Sequence, residues 1–117
     1  MLLNLSNHPS SRWNIVQLEA AQTKYGEVKD MPFPVINPDW TTEEVEALAA
    51  TYVDKIQKEE PTDVHLMGEM TFTYALVNLL QEIGITCVAS TSDRKVIEEV
   101  NGKKTVLFEF KQFRAYP

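Results

Sequence analysis

Three short polar clusters hold the residue types that could do chemistry. Ser6-Asn7-His8-Pro9-Ser10-Ser11 brings together hydroxyls, an amide and an imidazole. Gly68-Glu69-Met70-Thr71 places a carboxylate and a hydroxyl after a glycine, and Thr91-Ser92-Asp93-Arg94 ends in a guanidinium. Hydroxyls and backbone N–H groups at a helix start favour an anion such as phosphate or carboxylate. A guanidinium can hold a phosphate through two parallel hydrogen bonds. His8, in a loop, suits general acid–base work or stacking on a base. Glu69 could hydrogen-bond a ribose or base edge, or settle a helix N-terminus through the dipole. Each hydroxyl also has a plain use as a helix cap, and Arg94 a plain use in an ion pair with Asp93.

Those clusters need elements that bring them to one place. Met1–Ser6 reads as a first strand, Asn7–Ser11 as a loop, and Arg12–Tyr25 as a helix stopped by Gly26. Glu27–Met31 is a short second strand, followed by the rigid segment Pro32–Pro38. Thr41 and Glu44 have the spacing of a capping box. They precede an apolar stripe of Val45, Leu48, Ala49, Tyr52, Val53 and Ile56 on a second helix that ends at Glu59-Glu60-Pro61. Val64–Met67 is strand three, Thr71–Ile83 helix three, and Ile85–Ser90 strand four. Asn101-Gly102 between two strand-like runs, from Lys95 onward, is a hairpin signal.

Alternating strands and helices imply a parallel sheet with right-handed crossovers. The expected fold is one α/β, Rossmann-like domain over 1–117. It has a mainly parallel four-stranded sheet, helices on both faces and a C-terminal antiparallel β-hairpin. In such sheets ligands bind beyond the carboxyl ends of the strands. The three clusters and Pro32-Phe33-Pro34 would then meet at one rim, with Ser10, Ser11 and Thr71 placed to cap helices.

Composition bounds the rest. The chain has 117 residues, 44% hydrophobic and 24% charged, with a formal net charge of -6. That acidity argues against a duplex nucleic-acid binder, which needs a basic footprint. No apolar run approaches the roughly 18 residues of a membrane span, and the start resembles no signal peptide. A cytoplasmic protein is therefore expected. Cys87, the only cysteine, lies in an apolar run and reads as a core residue rather than a nucleophile. His65, within strand three, reads as a satisfied interior histidine. GxGxxG, GxxxxGK[ST] and GxSxG signatures are missing. No carboxylates or histidines stand at metal-ligand spacing, so neither a metal nor a cofactor is expected.

The stretch LNLSNHPS, together with LMGEMTFTYALVNLLQEIGITCVASTSDR, resembles the small stand-alone CRISPR-associated proteins related to CARF domains, in particular their compact ring-nuclease-like members. The likeness is best over strand one and the strand three to strand four unit. It implies a homodimer whose two rims bind a cyclic oligoadenylate across the two-fold axis. Some members cut that ligand without metal, leaving a 2',3'-cyclic phosphate. In that pattern a hydroxyl after strand one corresponds to Ser6, with Ser10 or Ser11 as substitutes. A glycine after strand three corresponds to Gly68, with Thr71 nearby, and a hydroxyl and a base after strand four to Thr91 and Arg94. The expected catalytic residues are Ser6, His8 and Arg94. The expected ligand-binding residues are Asn7, Ser10, Ser11, Gly68, Glu69, Thr71, Thr91 and Ser92. Positive charge is sparse at this rim, a departure from that pattern that bears more on cleavage than on binding. Two other readings stand beside it. One is a dimeric interaction module using Phe108, Phe110 and Phe113. The other is a flavodoxin-like mononucleotide binder using Ser6–Ser11 as a phosphate loop.

Overall fold

A computed structural model describes all residues, 1–117. It has strands β1 (Leu2–Ser6), β2 (Val28–Asp30), β3 (Asp63–Met67), β4 (Thr86–Glu98) and β5 (Lys104–Ala115). The helices are α1 (Ile15–Tyr25), α2 (Thr42–Glu59) and α3 (Met70–Glu82), and a single 3-10 turn covers Ser10–Arg12. All five strands form one sheet in the order β2-β1-β3-β4-β5. The first four are parallel and β5 is antiparallel to β4. From β1 the chain winds first outward to β2 and then back across to β3. The C-terminal ends of β1 and β3, which are adjacent, therefore flank the point where the winding reverses.

The two faces of the sheet are packed differently. Leu3 and Leu5 of β1, with Val64 and Leu66 of β3, meet Val45, Ala49, Phe72 and Leu76 in the main core under α2 and α3. The alternate residues Leu2 and Val88 pack with Ala21 of α1, and Trp13, Tyr25 and Phe113 close round them. Side chains alternate along a strand, so β1 shares its residues between both layers. That accounts for its complete burial.

Several local expectations hold. Thr41 and Glu44 form the capping box of α2, and Asn101-Gly102 turns the hairpin, with Gly102 at φ 80. Others are corrected. The N-cap of α1 is Asn14, whose side chain accepts from Gln17 N–H. Ser10 and Ser11 therefore cap no α-helix. α3 is capped by Glu69, not Thr71.

The largest correction concerns strand four. It does not end at Ser90. β4 runs on without a break to Glu98, and Thr91–Arg94 pair with Gln112–Phe108 of β5 across a bulge at Thr91/Ser92. The sheet thus has five strands, not four with a separate hairpin. The run looked like a loop because it is polar. It is polar because only β5 pairs with β4 beyond Val88, so the ribbon has water on both faces. The radius of gyration is 16.2 Å, against about 13 Å for a compact chain of this length, because the ribbon stands out from the body. No helix is long and apolar enough to cross a membrane.

Gly68, directly after β3, is fixed by a neighbour rather than by its own backbone angles. A Cβ there would overlap the ring of Phe33, and that ring stands edge-on to Phe72 at 5.4 Å in the main core. Gly68→Ala should therefore displace Phe33 and cost about 1–3 kcal/mol of stability, the usual range for overpacking. Phe33→Leu in the same chain should recover part of it. Urea unfolding of the two single variants and the double variant measures this; additive losses would show that the two positions are not coupled.

Candidate functional site

The sheet face under α1 changes character along its length. On β1 the side chains run Leu2, Asn4, Ser6. On β4 they run Val88, Ser90, Ser92. β3 places His65 beside Asn4 and Val88 in register. Polar groups thus replace apolar ones toward the carboxyl ends of β1 and β4 on this face. At that end lies a cleft of about 590 Å³, between the β1–α1 connection and the root of the ribbon. Ser6, Asn7, His8, Gly68 and Ser92 line it. So do residues the sequence reading did not single out for a ligand: Arg12, Trp13, Asn14, Gln17, His65 and Ser90, with Phe108 and Phe110 from the ribbon. Not one Asp or Glu is among the lining residues, although the chain has 17. Arg12 is the only permanent cation there.

A hydrogen-bond network holds the floor. Asn4 Nδ2 donates to Asp30 Oδ1 at 2.8 Å and to the His8 carbonyl at 2.9 Å. Its Oδ1 lies 2.8 Å from the Ser6 hydroxyl and 2.8 Å from His65 Nδ1. The His8 carbonyl also accepts from Trp13 Nε1 at 3.2 Å, which pins the indole over the site. Asp30 takes Ser10 N–H at 3.0 Å and the Ser10 hydroxyl at 2.8 Å. Burial pushes the Asp30 carboxyl up, but the hydrogen bonds from Asn4 and Ser10 outweigh it and hold it below its ordinary value.

His65 is interior, at 2% exposure. It stands edge-on to Trp13 (5.2 Å between centroids) and to Phe113 (5.6 Å). Burial pushes its pKa down to about 4, so the ring is neutral at physiological pH. The expectation of a satisfied histidine is half right: Nδ1 is bonded, and Nε2 has no partner in the protein.

The other expected residues are placed elsewhere. Ser11 is exposed and belongs to the 3-10 turn. Glu69 accepts from Phe72 N–H at 2.9 Å and from Thr71 N–H and its hydroxyl, and these bonds lower its pKa. Its carboxylate is spent on the cap. Thr71 faces a second groove, of about 620 Å³, between α2 and α3. That groove is more apolar, with Trp40, Met70 and Tyr74 in its wall, and its one charged group is Glu46. Of the two, the rim cleft has the convergent polar groups that orient a small ligand. Thr91 bonds back to Gln112 across the ribbon. Arg94 pairs with Phe108 in strand register on the ribbon, is not among the residues lining the cleft, and makes no ion pair. Cys87 is buried, and burial together with the charge of Asp63 lifts its thiol to about 12, which leaves it unionised. No three His, Cys, Asp or Glu side chains converge as a metal site would require.

The fold and cleft define an α/β domain with a polar pocket at the rim of a mostly parallel sheet. Residues 1–114 match the uncharacterized protein MJ1673 family, and the chain belongs to it. No curated protein matches the chain.

Buried neutral His65 makes stability depend on pH. The unfolded histidine takes up a proton as pH falls through 6.5, whereas the folded one does so only near 4. Its contribution is complete above the upper value and declines on acidification between the two. The total is on the order of 3 kcal/mol at 1.36 kcal/mol per pH unit. Asp30, shifted down from its ordinary value of 3.8, adds loss only at still lower pH. Urea midpoints measured from pH 7 to 4 should fall for the native chain and fall less for His65→Phe.

Proposed function

We propose that this protein binds a cyclic oligoadenylate at the rim cleft. The observation that carries the reading is the cleft's composition: no carboxylate, one arginine, three aromatic side chains and neutral polar groups, in a chain of net charge -6. A phosphate-bearing ligand needs a place free of fixed negative charge, and Arg12 offers a donor fork for phosphate. Trp13 and the exposed ribbon residue Phe108 offer surfaces on which adenines can stack, with the buried Phe110 packed behind them. The position fits the rule for open α/β sheets, in which ligands bind beyond the carboxyl ends of the strands where the winding reverses. The Rossmann-like reading of the domain and the resemblance of LNLSNHPS and the β3–α3–β4 stretch to CARF-related proteins point to the same ligand class.

The geometry favours binding over cleavage. The Ser6 hydroxyl is 9% exposed and engaged with Asn4 and His8, so it is poorly free to position a ribose. Arg94 lies out on the ribbon. The mononucleotide alternative, with Ser6–Ser11 as a phosphate loop, is weakened because Asp30 already takes the N–H and hydroxyl donors of Ser10.

The interaction-module reading keeps only Phe108 of its three phenylalanines, because Phe110 is buried and Phe113 packs against Trp13, Tyr25 and His65, but the outer ribbon offers another surface. Along one ribbon face, Arg94 and Phe108, then Val96 and Val106, stand opposite each other in register. Phe108 is 65% exposed, and the two valines are exposed as well. A two-stranded ribbon is marginal alone in water. A second copy seated on this face would cover it and bring two clefts together, as a shared dimer site requires. Light scattering tests this: a clean monomer would count against both the module and the shared site.

Calorimetric titration with cyclic tetra-adenylate in EDTA tests the binding. The native chain should bind, and Arg12→Ala should weaken binding at least about tenfold, the cost of a lost charge-assisted hydrogen bond. Arg94→Ala should bind within about threefold of the native chain, as expected for a charge outside the cleft. Chromatography of the same mixtures reads any linear product. A titration with no heat and no retained ligand would overturn the proposal.

A further inference from the structure

We propose that His65 is the residue that reads the ligand in this cleft, its Nε2 accepting a hydrogen bond from an N–H or O–H donor of the bound nucleotide. The proposal rests on the cyclic-oligoadenylate reading and adds to it a specificity-determining group that lies mid-strand, behind the loops.

The argument begins with which ring nitrogen bears the proton. Asn4 Nδ2 is spent on two groups that can only accept, the Asp30 carboxylate and the His8 carbonyl. Its orientation is thereby fixed, and its Oδ1 must face His65. An oxygen there, 2.8 Å from Nδ1, requires that Nδ1 donate. The neutral ring has one N–H, so Nε2 keeps a lone pair and is an acceptor. Asp30, Asn4 and His65 thus form a chain in which each group sets the orientation of the next.

That acceptor has no partner in the protein. Leaving a buried polar group unpaired costs about 1–3 kcal/mol, and such groups are rare in native proteins. Its neighbours are aromatic: Trp13 and Phe113 contact the ring edge-on. A phenylalanine would fill the same space without that cost. The chain instead places a histidine there and uses Asn4 and Asp30 to fix its tautomer. His65 is among the residues that line the cleft, and Nε2 is closed to solvent in the free protein, so the donor that satisfies it must come from a ligand pressed against that wall. Burial keeps the ring unprotonated across the neutral range, which preserves the lone pair. Arg12, by contrast, can only donate. The two residues together suit a ligand with phosphate oxygens at one point and a donor at another, which a ribose 2'-hydroxyl or an adenine amine supplies.

The test compares the native chain with His65→Phe and His65→Gln, using calorimetry with cyclic tetra-adenylate. His65→Phe should bind at least about tenfold more weakly, the value of one buried hydrogen bond, and His65→Gln, which retains an acceptor, should recover part of the loss. Cyclic tetra-inosinate, which has no amine, and the 2'-deoxy cyclic tetra-adenylate distinguish the two donors: the one His65 reads will cost the native chain the same factor and cost His65→Phe nothing further. Binding by His65→Phe equal to that of the native chain overturns the proposal and leaves the ligand reading intact. Failure of the native chain to bind overturns both. Should His65→Phe not fold, ¹⁵N NMR of the native histidine decides. The free protein should show Nδ1 protonated, with Nε2 moving on saturation. An Nε2 resonance unchanged in the saturated protein overturns the proposal.

Discussion

The side-chain amide of Asn4 is the constraint on which the rim depends. It is buried mid-strand, where an unpaired amide would be costly, and all of its capacity is used: two acceptors on its nitrogen, two donors on its oxygen. Through those four bonds it ties β1 to β2 at Asp30, to β3 at His65, and to its own outgoing loop at His8. The three strand ends at the reversal of winding are thus cross-linked by one residue. The loop that follows is fixed by the same network, because the His8 carbonyl takes N–H donors from Asn4 and Trp13. A buried network with every member paired rigidifies its surroundings. Here only Nε2 of His65 remains unpaired, in a residue that lines the cleft.

An acidic chain can still offer a site to an anion if its carboxylates are removed from that site or neutralised. Both occur here. Asp30, at the end of β2, has its charge met by Asn4 and Ser10. Glu69 is turned into the N-terminus of α3, where its charge meets free N–H groups and the helix dipole. The rest of the negative charge lies elsewhere on the surface. Screening over about 8 Å at physiological ionic strength weakens exposed charges beyond that distance, so net charge says less about the cleft than the residues that line it.

The order of elements, the capping box at Thr41 and the turn at Asn101-Gly102 were legible in the sequence, because each rests on local periodicity or local turn chemistry. The loop after β1 lines the cleft through Asn7 and His8, as expected of polar residues where a strand ends, but of the expected cluster after β3 only Gly68 does. The extent of β4 was not legible. A strand with one partner and water on both sides has no apolar alternation to read, so Thr91–Arg94 looked like a loop and Arg94 like a rim cation. Arg12 was missed from the other direction. The sequence pattern places it in the first helix, whereas Asn14 caps α1 and leaves Arg12 in the connection that lines the cleft. A signal for the floor was present but unused. Asn4 in LLNLS and His65 in VHLM are polar residues inside apolar strands, and two such positions pointing to one sheet face imply a reason for burying them.

The ribbon links the two levels of the structure. Its root supplies Ser90, Ser92, Phe108 and Phe110 to the cleft, and Phe113 packs behind His65. Its outer half leaves apolar side chains in water. Side chains on one face of a ribbon are continuous from root to tip, so a contact that covers Val96 and Val106 would bear on Phe108 and, through it, on the cleft wall. The antiparallel pairing that makes β4 and β5 one unit therefore links the outer half of the ribbon to the pocket mechanically. A bulge at Thr91/Ser92 sits where the ribbon leaves the sheet. Bulges bend and twist the strand that carries them, so this one sets the angle at which the aromatic wall meets the floor built on Asn4.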